Sequence, residues 1–165
     1  MLKSREEIRV WLNEMGINNY IINDDLTVDV NGYVDISNKG LKEIPVQFGI
    51  VDGVFYCSNN KLTSLKGSPK ESWRFYCDRN ELTSLQGAPK ECERFYCSDN
   101  QLTSLEGAPK MSKIVSDFSK EEIEAYKNGG KIKESTMDDK DRKKFWNEFY
   151  KNSTRFGKKN KKYAS

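Results

Sequence analysis

Between Phe55 and Lys110 apolar and polar residues follow the same order three times. FYCSNNKLTSLKGSPKE at 55–71, FYCDRNELTSLQGAPKE at 75–91 and FYCSDNQLTSLEGAPK at 95–110 share a period of 20 residues. Cys57, Cys77 and Cys97 fall in register, as do Asn60, Asn80 and Asn100, the pairs Leu62 and Leu65, Leu82 and Leu85, Leu102 and Leu105, and then Pro69, Pro89 and Pro109. A weaker copy comes first: Val34, Ile36, Leu41, Ile44 and Pro45 repeat the apolar spacing, with Lys39 where the later copies have asparagine.

Phe-x-Cys-x-x-Asn-x-Leu-x-x-Leu is the spacing of a leucine-rich repeat, in which a short strand and a turn make each coil of a solenoid. Side chains alternate across a strand, so Phe55 and Cys57 share one face and Tyr56 and Ser58 the other. The first face is core. The turn leaves backbone groups without ladder partners, and an asparagine amide can satisfy a donor and an acceptor there at every coil. Gly67, Gly87 and Gly107 suit a tight turn, and the proline two residues on keeps the return segment extended. The predicted fold is therefore α+β: a leucine-rich-repeat-like solenoid of about four coils, with a parallel strand ladder starting at Val34–Ile36 and running through Phe55, Phe75 and Phe95.

The flanks predict end caps. Ser4-Arg5-Glu6-Glu7 has the form of a capping box, and Ile8, Trp11, Leu12 and Met15 follow at helical spacing until Gly16. This stripe fits a cap on the first coil better than a partner-binding face. Tyr20–Ile22 reads as a strand, Leu26, Val28 and Val30 alternate, and Asn31-Gly32 is a hairpin signal. After Pro109, Ser119 and Glu122 form a second capping box for a helix carrying Ile123 and Tyr126. Phe145, Trp146, Phe149 and Tyr150 mark a further helix. The expected units are residues 1–33 (helix and hairpin), 34–112 (solenoid), 113–151 (C-terminal helices) and 152–165, a basic tail expected to be disordered.

Composition adds little until it is divided. The chain of 165 residues has a net charge of +3. Residues 1–110 hold 13 Lys and Arg against 16 Asp and Glu, whereas residues 111–165 hold 15 against 9. Basic charge collects at the C-terminus. There is no apolar run of membrane-spanning length and no signal-like N-terminus, so a cytoplasmic location without membrane association is expected. The chain lacks histidine and has no Cys-x-x-Cys pair, which argues against zinc. Cys57, Cys77 and Cys97 are read as inward-facing free thiols, and Cys92, outside that column, as the thiol most open to solvent. Disulfides do not suit the cytosol.

No phosphate-binding loop and no nucleophile placed beside a base is present, so no enzyme activity, metal or cofactor is expected. Asp24-Asp25 and Asp138-Asp139 read as a turn and a helix start. The candidate site is the outward, concave face of the ladder. Its columns are Val54, Arg74, Arg94; Tyr56, Tyr76, Tyr96; and Ser58, Asp78, Ser98. Tyrosine and arginine are typical of interface hot spots, although a tyrosine column also serves the sheet's own packing. Lys158, Lys159, Lys161 and Lys162, with Phe156 and Tyr163 interleaved, form a candidate nucleic-acid contact. Pairing of two chains into a homodimer through the solenoid ends or the aromatic helix is a third use.

In the triplicated FYCS-x-N-x-LTSL-x-GAPK the sequence resembles a family of small leucine-rich-repeat proteins encoded by tailed bacteriophages of enterobacteria and their relatives. NGYVDISNKGLKEIPVQFG and SKEEIEAYKNGGKIK are similar to that family's flanks, so the resemblance covers about residues 5–135. It implies a small solenoid made in the cytoplasm of an infected bacterium and supplies no catalytic residues. A binding scaffold is the expected function. Its expected partner is a bacterial host protein, a component of host defence among the candidates.

Overall fold

In a computed structural model, which describes residues 1–129, the chain winds into a β-solenoid of about four turns. Helix α1 spans Arg5–Glu14. Strands β1 Tyr20–Ile22, β2 Thr27–Val30, β3 Val34–Asp35, β4 Gln47–Tyr56, β5 Glu71–Tyr76, β6 Arg94–Tyr96 and β7 Lys113–Val115 follow, and α2 spans Lys120–Lys127. The sheet order is β1-β2-β4-β5-β6-β7, with β3 also paired to β4. All pairings are parallel except β1 with β2. The 20-residue period thus becomes one rung: Phe55, Phe75 and Phe95 are register partners.

Their rings form the spine of the core. Phe55 and Phe75 stack at 5.3 Å with planes 7° apart, Phe75 and Phe95 at 5.6 Å and 7°. Leu62, Leu65, Leu82 and Leu85 are fully buried behind them. The asparagines join coil to coil. Asn80 Nδ2 donates to Cys57 O and Cys77 O at 3.0 Å each, and its Oδ1 accepts from Leu62 N at 3.0 Å. Each asparagine therefore satisfies the turn of the coil before it. This explains Lys39: the first turn is served by Asn60 Oδ1, which takes Lys39 N and Leu41 N at 3.0 Å, so that coil needs no asparagine of its own. Gly67 has φ +96, and a Cβ there would lie 2.6 Å from Val46 O. Coils approach too closely at that turn for any side chain.

Three sequence expectations change. The hairpin turn lies at residues 23–26, where Asn23 N bonds Thr27 O and Leu26 N bonds Asn23 O, not at Asn31-Gly32. Strands β2 and β3 do not pair with each other; both lie parallel to β4. β2 contributes Val28 and Val30 to the core, and burying them against β4 outweighs the local turn preference of Asn31-Gly32. β2 pairs with the start of β4, Val28↔Phe48, whereas the ladder through Phe55 begins at Val34, as the repeat predicts. The latter ladder continues to β7, beyond the last repeat, through Phe95↔Ile114. Finally, Cys92 is fully buried, 0% exposed, not open to solvent. The return segment forms a second parallel ladder, marked by Val51↔Ser72 and the Glu71↔Glu91 bridge. That ladder turns Cys92 inward onto Ser112, whose Oγ lies 3.2 Å from the thiol.

Helix α1 carries its capping box, Ser4 Oγ accepting from Glu7 N and the Glu7 carboxylate accepting from Ser4 N. Ile8 and Leu12 are buried, and the Trp11 ring lies 6.4 Å from that of Phe48. In α2 the same box forms at Ser119 and Glu122. Phe118, Ile123 and Tyr126 pack against the core, and Tyr126 Oη donates to Ala108 O at 2.6 Å. The helix expected at Phe145 to Tyr150 and the basic tail lie outside the described residues. No helix among the described residues is long and apolar enough to cross a membrane.

Candidate ladder-face site

The parallel register builds the outward face row by row. Val54, Arg74, Arg94 and Lys113 occupy successive rungs of one row, and Tyr56, Tyr76, Tyr96 and Val115 those of the next. Asp35 precedes Tyr56 in the tyrosine row. Parallel strands in register leave each tyrosine directly over its neighbour, so the rings stack: Tyr56 on Tyr76 at 4.9 Å and 21°, Tyr76 on Tyr96 at 4.2 Å and 7°. On the far side, Ser58 Oγ donates to Asp78 Oδ1 at 2.7 Å. All six candidate residues of the face, Arg74, Arg94, Tyr56, Tyr76, Tyr96 and Asp78, therefore lie on one continuous surface. Lys158, Lys159, Lys161 and Lys162 lie outside the described residues.

Charge perturbs the tyrosines unequally. The Arg94 guanidinium beside Tyr96 holds that phenol below its ordinary pKa, and Tyr96 in turn holds Arg94 above the usual arginine range. Partial burial, and then the Tyr96 hydroxyl, push Tyr76 up.

Trp73, Glu93, Lys113 and Val115 of this surface escaped the sequence columns. Trp73 is 41% exposed; its indole N–H donates to the Glu93 carboxylate, and the Arg74 guanidinium carbon sits 4.9 Å from its ring centroid. Glu93 Oε1 also lies 3.9 Å from Arg94 Nε. A signal existed: 53, 73 and 93 are one repeat position, occupied by Gly, Trp and Glu, just ahead of the invariant Phe-Tyr-Cys. Lys113 and Val115 carried no signal because β7 lies outside the repeat.

The thiols take no part in the face. Cys57 and Cys77 are fully buried and burial pushes both well above the ordinary thiol range, while Cys92 and Cys97 are pushed up to about 12. No cluster of three or more metal-ligating side chains occurs among the described residues. Asp24 pairs with Arg5 at 2.8 Å and Asp25 accepts from Thr27 Oγ1 at 2.7 Å, so this carboxylate pair holds the β1–β2 turn. Comparison with known proteins adds no assignment, since no family model, curated protein or solved structure gives a significant match.

Proposed function

We propose that this chain is a non-enzymatic, protein-binding scaffold of the leucine-rich-repeat type, a phage accessory factor that acts in the bacterial cytoplasm by binding and altering a host protein. The stacked Tyr56, Tyr76 and Tyr96, flanked by Arg74, Arg94 and Trp73, carry the proposal. Tryptophan, tyrosine and arginine dominate interface hot spots because they bring large rigid area and multiple donors at modest entropic cost. The repeat keeps its core residues and varies the surface, reading SNNK, DRNE and SDNQ at 58–61, 78–81 and 98–101. A scaffold displaying side chains has that pattern.

The test is capture from bacterial lysate, with and without nuclease, by the full chain and by the Tyr56→Ser, Tyr76→Ser, Tyr96→Ser variant. A discrete host protein that survives nuclease and is lost with the tyrosines is expected. Capture that ignores the tyrosines sinks the proposal for this face. Nuclease-sensitive, salt-sensitive capture lost on truncation after Lys151 would assign binding to the basic tail instead. Light scattering over a concentration series separates either from self-assembly.

A further inference from the structure

On one stripe of the ladder face, hydrogen-bond donors greatly outnumber acceptors. Arg74, Arg94 and Lys113 occupy consecutive rungs, which stand about 4.8 Å apart in a sheet. A guanidinium has five N–H donors and an ammonium three, and neither accepts. Against these the stripe sets the Glu93 carboxylate, already shared between the Trp73 indole and Arg94, and the Tyr76 and Tyr96 hydroxyls, hydrogen-bonded to Arg74 and Arg94 in turn. Such a row is unusual in this part of the chain, where residues 1–129 hold 20 Asp and Glu against 16 Lys and Arg.

The opposite flank has the other sign. Beyond the tyrosines lie Ser58 and Asp78, hydrogen-bonded to each other, and Asp35 heads the tyrosine row. A uniformly anionic strand laid over the tyrosines would gain the arginines and meet Asp35 and Asp78. An extended polypeptide avoids this conflict. Its successive side chains point to opposite sides, so acids at alternate positions reach the arginine stripe while neutral or donor residues between them face Asp78. Arginine also grips carboxylates through two parallel N–H bonds, which fixes their orientation.

We infer that the Arg74, Arg94, Lys113 stripe receives carboxylate side chains from an extended segment of the protein partner, laid across the tyrosine row. This rests on the protein-binding role proposed above and adds the chemistry by which the partner is recognised.

Labelled peptides titrated into the full chain and followed by fluorescence anisotropy test it. The probes are an alternating Glu-Thr decapeptide, its Gln-Thr counterpart and a ten-nucleotide oligothymidine. The Glu-Thr peptide should bind at least about ten-fold tighter than the Gln-Thr peptide. That advantage should vanish in Arg74→Gln, Arg94→Gln and survive in part in Arg74→Lys, Arg94→Lys, with circular dichroism checking that each variant is folded. Equal affinity for the two peptides, no Glu-Thr binding at millimolar concentration, or an advantage that persists in the glutamine variant overturns the inference. So does oligothymidine binding tighter than the Glu-Thr peptide and lost in the same variant. A host protein still captured by the glutamine variant but lost with the tyrosines would overturn the carboxylate stripe alone. Capture that ignores the tyrosines would overturn the binding role itself.

Discussion

At the scale of single residues, this fold depends on amides that serve a neighbouring coil. Asn80 contacts the coil before its own through Leu62 N and Cys57 O, and its own through Cys77 O. Cutting it to alanine strands buried backbone groups of two coils. Asn80→Ala should cost about 1–3 kcal/mol, read from urea unfolding; an unchanged midpoint would mean that the amide is dispensable. One rung position carries a conformational cost. Asn38, Asn59, Arg79 and Asp99 all adopt left-handed φ, between +54 and +57. Asparagine and aspartate tolerate that region, and arginine gains nothing local there. The Arg79–Asp99 ion pair is 3.4 Å long and well exposed, so its loss matters little. Arg79→Asn, which installs the residue found at Asn59, should stabilise by several tenths to about 1 kcal/mol, raising the melting temperature.

At the scale of elements, the helix starts are the acid-sensitive points. Glu7 accepts from Lys3 N and Ser4 N at 3.0 Å each, and these bonds, Lys3 first, hold its carboxyl below 4.5. Because the folded value is the lower one, the contribution is complete above pH 4.5 and is lost as pH falls through the lowered value. Glu122 behaves alike through Ser119, and Asp25 through Thr27. Glu7→Gln keeps an acceptor in the capping box but cannot titrate there. Its unfolding free energy should fall less steeply than that of the parent below pH 4.5, with a residual slope from Glu122 and Asp25. Parallel pH profiles for the two proteins would show that the α1 box does not contribute.

At the scale of the whole molecule, stability passes from rung to rung, since each coil buries its apolar side only against its neighbours. Leu82 lies in an interior coil and is fully buried, whereas Leu102 is only half-buried near the end of the repeats. Leu82→Ala should therefore cost about 2–5 kcal/mol, a large part of a total on the order of 5–15 kcal/mol, and Leu102→Ala clearly less. Chemical denaturation of both variants checks the order; equal losses would contradict the stacking. The proposed partner site also belongs to this scale, because it exists only as rows made by several rungs.

The repeat could be read directly because a fixed period of 20 residues imposes one conformation on every copy. Phe75 above Phe55, the asparagine column, the leucines behind them and the tyrosine row all follow from alternation plus in-register stacking. Both capping boxes were equally local, needing only Ser4 with Glu7 and Ser119 with Glu122. What the sequence left open were contacts between segments outside the repeat. Asn31-Gly32 has the local form of a hairpin, yet β2 and β3 both pair with β4, because that places Val28, Val30 and Val34 in one core. Cys92 turns inward since the return segment forms its own ladder with Ser72 and Ser112 as neighbours. Lys39 does without its asparagine because Asn60 reaches back to it. Trp73, Glu93 and Lys113 join the arginines through strand register. By itself the sequence determined the coil, since one coil's conformation is set by its own twenty residues; tertiary structure decided the ends and the charged stripe, where the deciding partner lies on another strand.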